Sequence, residues 1–177
     1  MAAALASCNS SGSGSGSGFS LGLPKAPEGD AARAAAVVQG TCPPIELRDG
    51  TAFFRTYAKG GQDDPQKVVY QASLADTTRA CTRNETTLSM KVMVQGRLIA
   101  GPLGKAGSVD LPIRVAVVQG DQVLYSEITR FPVTLDAVDA PKQFVFTKDV
   151  PGLPGDVTGL ARVYIGFDEG PAKKKKR

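Results

Sequence analysis

Leu88-Ser89-Met90-Lys91-Val92-Met93-Val94-Gln95 decides how this chain folds. Its even positions are apolar, while its odd positions hold serine, lysine, methionine and glutamine. A β-strand turns successive side chains to opposite faces, so this period of two places Leu88, Met90, Val92 and Val94 on a core and the others towards solvent. That is the pattern of a half-buried antiparallel strand. Residues 68–75 repeat it, with Val68, Tyr70, Ala72 and Leu74 opposed to Val69, Gln71, Ser73 and Ala75, and the strand is expected to run on, bent, to Cys81. Val109, Leu111, Ile113, Val115 and Val117 repeat it a third time. Pro112, which has no N–H to give to a ladder, suggests an edge or a bulge there.

Outward from these three stretches the chain reads as strand and turn throughout. Cys42-Pro43-Pro44 enforces an extended lead into Ile45-Glu46-Leu47. Asp49-Gly50 is a hairpin signal, and residues 51–58 are aromatic and β-branched enough for the next strand. Residues 59–66 form a polar Gly/Pro loop. Arg83-Asn84-Glu85-Thr86 turns the chain into the central stretch, and residues 101–108 read as a wide hairpin loop after it. Gln119-Gly120-Asp121 turns into a strand from Val123 to Ile128, which Phe131 to Leu135 continue after a kink. Phe144-Val145-Phe146 begins another strand, Pro151-Gly152-Leu153-Pro154-Gly155 reads as a loop, and residues 160–167 close the domain. No stretch of ten or more residues after Gly40 carries the helical period of 3.6.

Seven or eight strands with turns every 8 to 15 residues predict an all-β domain, an antiparallel two-sheet sandwich of immunoglobulin or fibronectin type III kind. A small β-barrel is the alternative. The chain contains no tryptophan, so the usual core tryptophan of antibody domains is missing.

The 177 residues carry a net charge of +4. Lys173, Lys174, Lys175, Lys176 and Arg177 alone supply five positive charges, so the rest of the chain is slightly acidic. A nucleic-acid-binding domain concentrates Lys and Arg on its folded face among aromatics, and this body does not; no nucleic-acid partner is expected. No apolar run approaches the roughly 18 residues of a spanning helix.

The amino-terminal residues Leu5-Ala6-Ser7-Cys8 form a cysteine preceded by a branched apolar residue and two small ones. This resembles the lipobox of bacterial lipoproteins, in which the cysteine thiol receives a diacylglycerol, the preceding peptide is removed and the new terminus is acylated. The resemblance implies that residues 1–7 are the remainder of a signal peptide and that Cys8 is the lipidated first residue. Residues 9–18, Asn-Ser-Ser-Gly-Ser-Gly-Ser-Gly-Ser-Gly, have the composition of a flexible linker, and residues 8–36 as a whole read as a tether spanning on the order of 30 Å. Three acyl chains would make attachment effectively permanent, because each buried CH₂ adds about 0.8 kcal/mol. In such lipoproteins an asparagine after the cysteine, here Asn9, goes with export to the outer membrane. The β-domain, residues 37–170, bears a loose similarity to small all-β envelope lipoproteins of Gram-negative bacteria, and a basic tail, residues 171–177, follows it. The resemblance carries no activity.

The chain has three cysteines. With Cys8 lipidated, Cys42 and Cys81 are left as an even pair in an exported protein and read as a disulfide worth roughly 4 kcal/mol, expected to tie the first strand to a neighbour rather than to cross the sheets. In a cytosolic protein the same two residues would be buried thiols.

Chemistry is sparse. The chain has no histidine, which removes Ser-His-Asp and Cys-His catalysis and the commonest metal ligand. Asp63-Asp64 and Asp168-Glu169 are adjacent carboxylates at loop positions where acids are normally solvated, without the further oxygens a calcium site needs. The glycine-rich 101–108 segment fails the P-loop spacing and leads into a strand. Ser73, Ser89 and Ser126 occupy outward strand positions with no base in view. No catalytic residue, metal site or cofactor is therefore expected.

The functional expectation is a lipid-anchored module on the periplasmic side of the outer membrane, or on the cell surface, that acts by contact. It would be a structural, assembly or accessory component, with an envelope protein or an anionic envelope polymer as partner. Loops 59–66, 100–108 and 149–159 are the candidate contacts, and the basic run 173–177 is the candidate contact for an anionic surface. A binder of a small apolar or glycan ligand is the second expectation.

Overall fold

A computed structural model describes residues 42–157 and 160–168. The lipidation expected at Cys8, the signal remnant 1–7, the tether 8–36 and the basic run 173–177 lie outside the described residues.

The described residues form eight strands: β1 (Ile45–Leu47), β2 (Phe53–Tyr57), β3 (Val68–Arg83), β4 (Thr87–Ala100), β5 (Gly107–Gln119), β6 (Gln122–Leu135), β7 (Lys142–Pro154) and β8 (Ala161–Phe167). They make two four-stranded sheets, in the orders β1-β8-β5-β6 and β2-β3-β4-β7. The two pack face to face as a sandwich, one sheet curled like half a barrel. All neighbours are antiparallel except β1 and β8, which run parallel over Ile45 to Leu47 against Val163 to Ile165. β8 lies between β1 and β5 while β7 is in the other sheet, so the last two strands do not pair as they do in an immunoglobulin constant domain.

The period-two residues fill the space between the sheets. Leu88, Val92, Val94 and Leu98 of β4, Leu111, Ile113 and Val117 of β5 and Val163 of β8 have no solvent exposure, and each such side chain stabilises the fold by roughly 1.5–3 kcal/mol relative to an exposed one. Gly96 belongs to this inward row too. A Cβ at Gly96 would overlap the Phe144 ring and the Ser73 carbonyl, so the glycine makes room for an aromatic from β7. On one flank the sandwich is closed where β6 meets β7: Phe131 packs against Phe144 and Phe146, at ring separations of 5.9 and 5.5 Å.

β3 runs unbroken to Arg83, bent as the sequence suggested. The bend is a bulge: Leu74 pairs Gly96 and Thr77 pairs Val94, so Ala75 and Asp76 together oppose Gln95. The extra residue reverses the strand's phase. Before it the inward residues are even-numbered, and beyond it odd-numbered Cys81 packs against the core. Cys81 there forms a disulfide with Cys42, Cα–Cα 5.7 Å. Because Cys42 leads into β1 and Cys81 lies on β3, the bridge joins the two sheets, contrary to the expectation that it would not cross them.

The remaining differences from the sequence reading have local causes. Asp49-Gly50 is not a hairpin. β1 and β2 belong to different sheets, and only Gly50 of the two central residues has positive φ (74°), whereas the tight hairpin turn signalled by Asp-Gly needs it at both. Residues 101–106 likewise join strands of opposite sheets rather than closing a hairpin. Residues 151–154 are strand, not loop: β7 is an edge, where proline costs no ladder bond, and a bulge places Pro151 and Gly152 (φ 69°) opposite Ser89. The same logic carries β6, another edge, through Pro132. Pro112 sits where the β5–β8 ladder ends: its carbonyl accepts from the Asp168 amide at 2.9 Å just past β8, and its missing N–H falls at this local edge, as anticipated.

Candidate functional site

A concavity of about 670 Å³ lies on the outer face of the β8-β5-β6 portion of the first sheet. Register builds its floor. Tyr164, Ala116 and Ser126 stand in one row across the three strands, and Gly166, Arg114 and Ile128 in the next. Ala116 and Gly166 are small, so the row is hollow between the longer side chains. The turn between β1 and β2 forms one wall. Thr51 donates its hydroxyl to the Arg48 carbonyl (2.8 Å) and packs on Gly166, where any Cβ would overlap it. The Arg48 guanidinium lies over the Tyr164 ring, 5.9 Å from its centre. Arg114 is held at two points, its Nε donating to the Asp168 carboxylate and its Nη1 to Ser126 Oγ at 2.8 Å. With Asp121 on the rim the cleft holds two arginines and two aspartates, and its charges balance. Ser126 thus has a role that its position in the sequence alone could not supply, as the second anchor of an arginine.

A second concavity of about 630 Å³ runs beside β2, with Phe53, Tyr57, Asp63, Phe167 and Asp168 among its walls. Phe54 and Phe167, both in its lining, meet at a tilt with ring centres 5.6 Å apart.

The acidic pairs singled out in the sequence separate here. Asp64 caps the short 3₁₀ turn Pro65–Lys67, accepting from the Gln66 amide at 2.9 Å, and pairs with Lys67 at 3.7 Å. Asp63 turns away with φ 63° towards β2. Asp168 belongs to Arg114, and Glu169 lies outside the described residues. In the glycine-rich 101–108 segment the amides of Gly101, Leu103 and Gly104 donate to backbone carbonyls, so they make no cradle for a phosphate. Of the loops expected to make contacts, 59–66 and 101–106 are connections between strands, while Ala100 ends β4, Gly107 and Ser108 begin β5 and 149–154 belong to β7.

One polar cluster escaped the sequence reading because its members come from different sheets. Tyr125 donates its hydroxyl to Glu127 on β6 (2.8 Å), and Lys148 of β7 bonds the other carboxylate oxygen. Lys148, and then Tyr125, hold the Glu127 carboxyl below its ordinary pKa. The bond to Glu127 raises Lys148, and burial followed by the bond to Glu127 raises Tyr125. The cluster fastens the flank where β6 and β7 meet.

Among the described residues no group of three or more His, Cys, Asp or Glu side chains could hold a metal ion. The chain matches no family model, no curated protein and no solved structure.

Proposed function

We propose that this chain is a lipoprotein of the bacterial envelope, held through acylated Cys8 on the periplasmic side of the outer membrane, whose sandwich works by contact as a structural, assembly or accessory module. The observation that carries the reading is the Cys42–Cys81 disulfide. A bridge between two of three cysteines fits an oxidising compartment and leaves Cys8, the one in the lipobox-like stretch, for lipid. The 8–36 tether suits a domain that must reach partners from a membrane surface. The basic run 173–177 would lie against an anionic envelope polymer or lipid phosphate.

Membrane fractionation with a palmitate analogue tests the reading. Wild type should label and stay with outer membranes through a high-salt wash. Cys8→Ser should neither label nor sediment, and deletion of 173–177 should weaken only the salt-sensitive part of sedimentation. An unlabelled wild type released by plain buffer would end the proposal.

The outer-face cleft favours a second reading, a glycan binder. Its aromatic ring and fixed donors and acceptors suit a neutral hydroxyl-rich ligand, since a charged one would have to compete with the Arg114–Asp168 pair. Loss of glycan-array binding on Tyr164→Ala would support it, and a silent array would remove it.

A further inference from the structure

We infer that the free edge of β2 receives an extended segment of a partner protein as a fifth strand of the β2-β3-β4-β7 sheet, and that the segment carries an acidic side chain opposite Arg55. The inference deepens the contact-module reading and rests on it for its biological setting.

The direction of the β2 backbone follows from its hydrogen bonds. The Leu74 amide donates to the Ala52 carbonyl at 2.9 Å, so residues 52 and 74 face each other as a bonded pair. Bonded and unbonded pairs alternate along an antiparallel ladder, so Phe54 also turns its N–H and C=O towards β3, whereas Phe53 and Arg55 turn theirs away. Thr51, of the same parity, shows where that outward side leads: its carbonyl accepts from the Phe167 amide at 2.8 Å. After this one bond the seam between β2 and β8 opens into the 630 Å³ groove, and among the described residues no strand lies beyond β2 in its sheet.

Unpaired edges are normally guarded, and the other three edges among the described residues are. β1 is three residues long. β6 carries Pro132 and closes on β7 through Phe131 and Glu127. β7 has two prolines, a bulge and lysines at 142 and 148. β2, Phe-Phe-Arg-Thr-Tyr, has no proline and no lysine, and its one register shift comes from the extra Val69 on β3. It also presents Phe53 at 60% exposure.

The side chains specify the occupant. Phe53, Arg55 and Tyr57 share one face, so an added strand meets them with alternate residues. Arg55 spends its Nε on Gln71 Oε1, 2.8 Å away, which fixes the guanidinium on the sheet and leaves its terminal nitrogens for a carboxylate. The matching segment is apolar-x-acidic-x-apolar. A second copy of this chain is a poor match, because the antiparallel register that pairs all of β2 with itself sets Arg55 against Arg55, and shifted registers shorten the ladder. The chain's own run 173–177 would set cations against it.

The test uses the whole oxidised chain and the end-blocked heptapeptides Ser-Val-Thr-Asp-Thr-Val-Ser and Ser-Val-Thr-Lys-Thr-Val-Ser, followed by amide NMR. The aspartate peptide should bind about tenfold tighter than its lysine counterpart and slow hydrogen exchange at Phe53 and Arg55. Arg55→Glu should reverse the preference. Arg55→Pro removes an outward N–H without touching the ladder to β3, so it should abolish both at an unchanged urea midpoint. The inference is overturned if neither peptide binds, if both bind equally, or if those two amides are already protected in the free chain, whether by a second copy (mass doubling with concentration) or by the chain's own end (protection lost on deleting 171–177). A chain that binds the peptide but never reaches the envelope would keep the edge and lose the contact-module reading. An anchored chain that ignores the peptide would do the reverse.

Discussion

Glu127 joins the two sheets through a single carboxylate, and its titration gives the fold a pH signature. Its pKa is depressed chiefly by the bond from Lys148, so the clamp's contribution is present above the ordinary carboxylate value of 4.5 and lost as pH falls through the lower folded value. Lys148 is raised by the same bond, so its share is present below 10.5 and lost as pH rises through its higher folded value. Glu127→Gln should therefore lower Tm across the neutral range, with the gap from wild type closing at both extremes; a gap constant in pH would contradict the assignment. Gly96→Ala pushes a methyl into the Phe144 ring and the Ser73 carbonyl, and urea unfolding should register a loss of about 1–3 kcal/mol. Phe144→Leu in the same chain should recover part of it, since only the ring can yield.

At the scale of elements, the strands that the sequence made plain are those whose period of two is uninterrupted. β4 buries Leu88, Met90, Val92, Val94 and Leu98, and β5 buries Leu111, Ile113, Val115 and Val117, in the phase their spacing predicts. What was not legible depends on partners far along the chain. The bulge at Ala75 and Asp76 reverses the phase of β3, and strict alternation would have turned Cys81 outward. Pro151-Gly152-Leu153-Pro154-Gly155 reads as a loop until β7 is known to be an edge, and Asp49-Gly50 reads as a hairpin until its flanking strands are known to belong to different sheets. The clefts were less legible still. Tyr164, Ala116 and Ser126 form a row only after β8 and β6 settle on either side of β5, and Arg114 meets Asp168 across 54 positions of sequence.

For the whole molecule, the Cys42–Cys81 bridge is the covalent link between the sheets, closing a loop with a sequence separation of 39. Cys42→Ser with Cys81→Ser should cost roughly 2–4 kcal/mol in urea unfolding, with the overall β content retained by circular dichroism. An unchanged midpoint would mean that the bridge constrains nothing the core does not already hold. The same link fits the proposed compartment, because a protein stabilised to that degree by oxidation is best placed outside a reducing cytosol.

Intact mass spectrometry of the protein extracted from membranes, treated with iodoacetamide before and after reduction, reads the anchor and the bridge in one experiment. The expected species is a chain beginning at Cys8 and carrying three acyl chains, with no alkylation before reduction and two added groups after it. A chain with an unmodified Cys8, or with Cys42 and Cys81 open to alkylation without reduction, would contradict it.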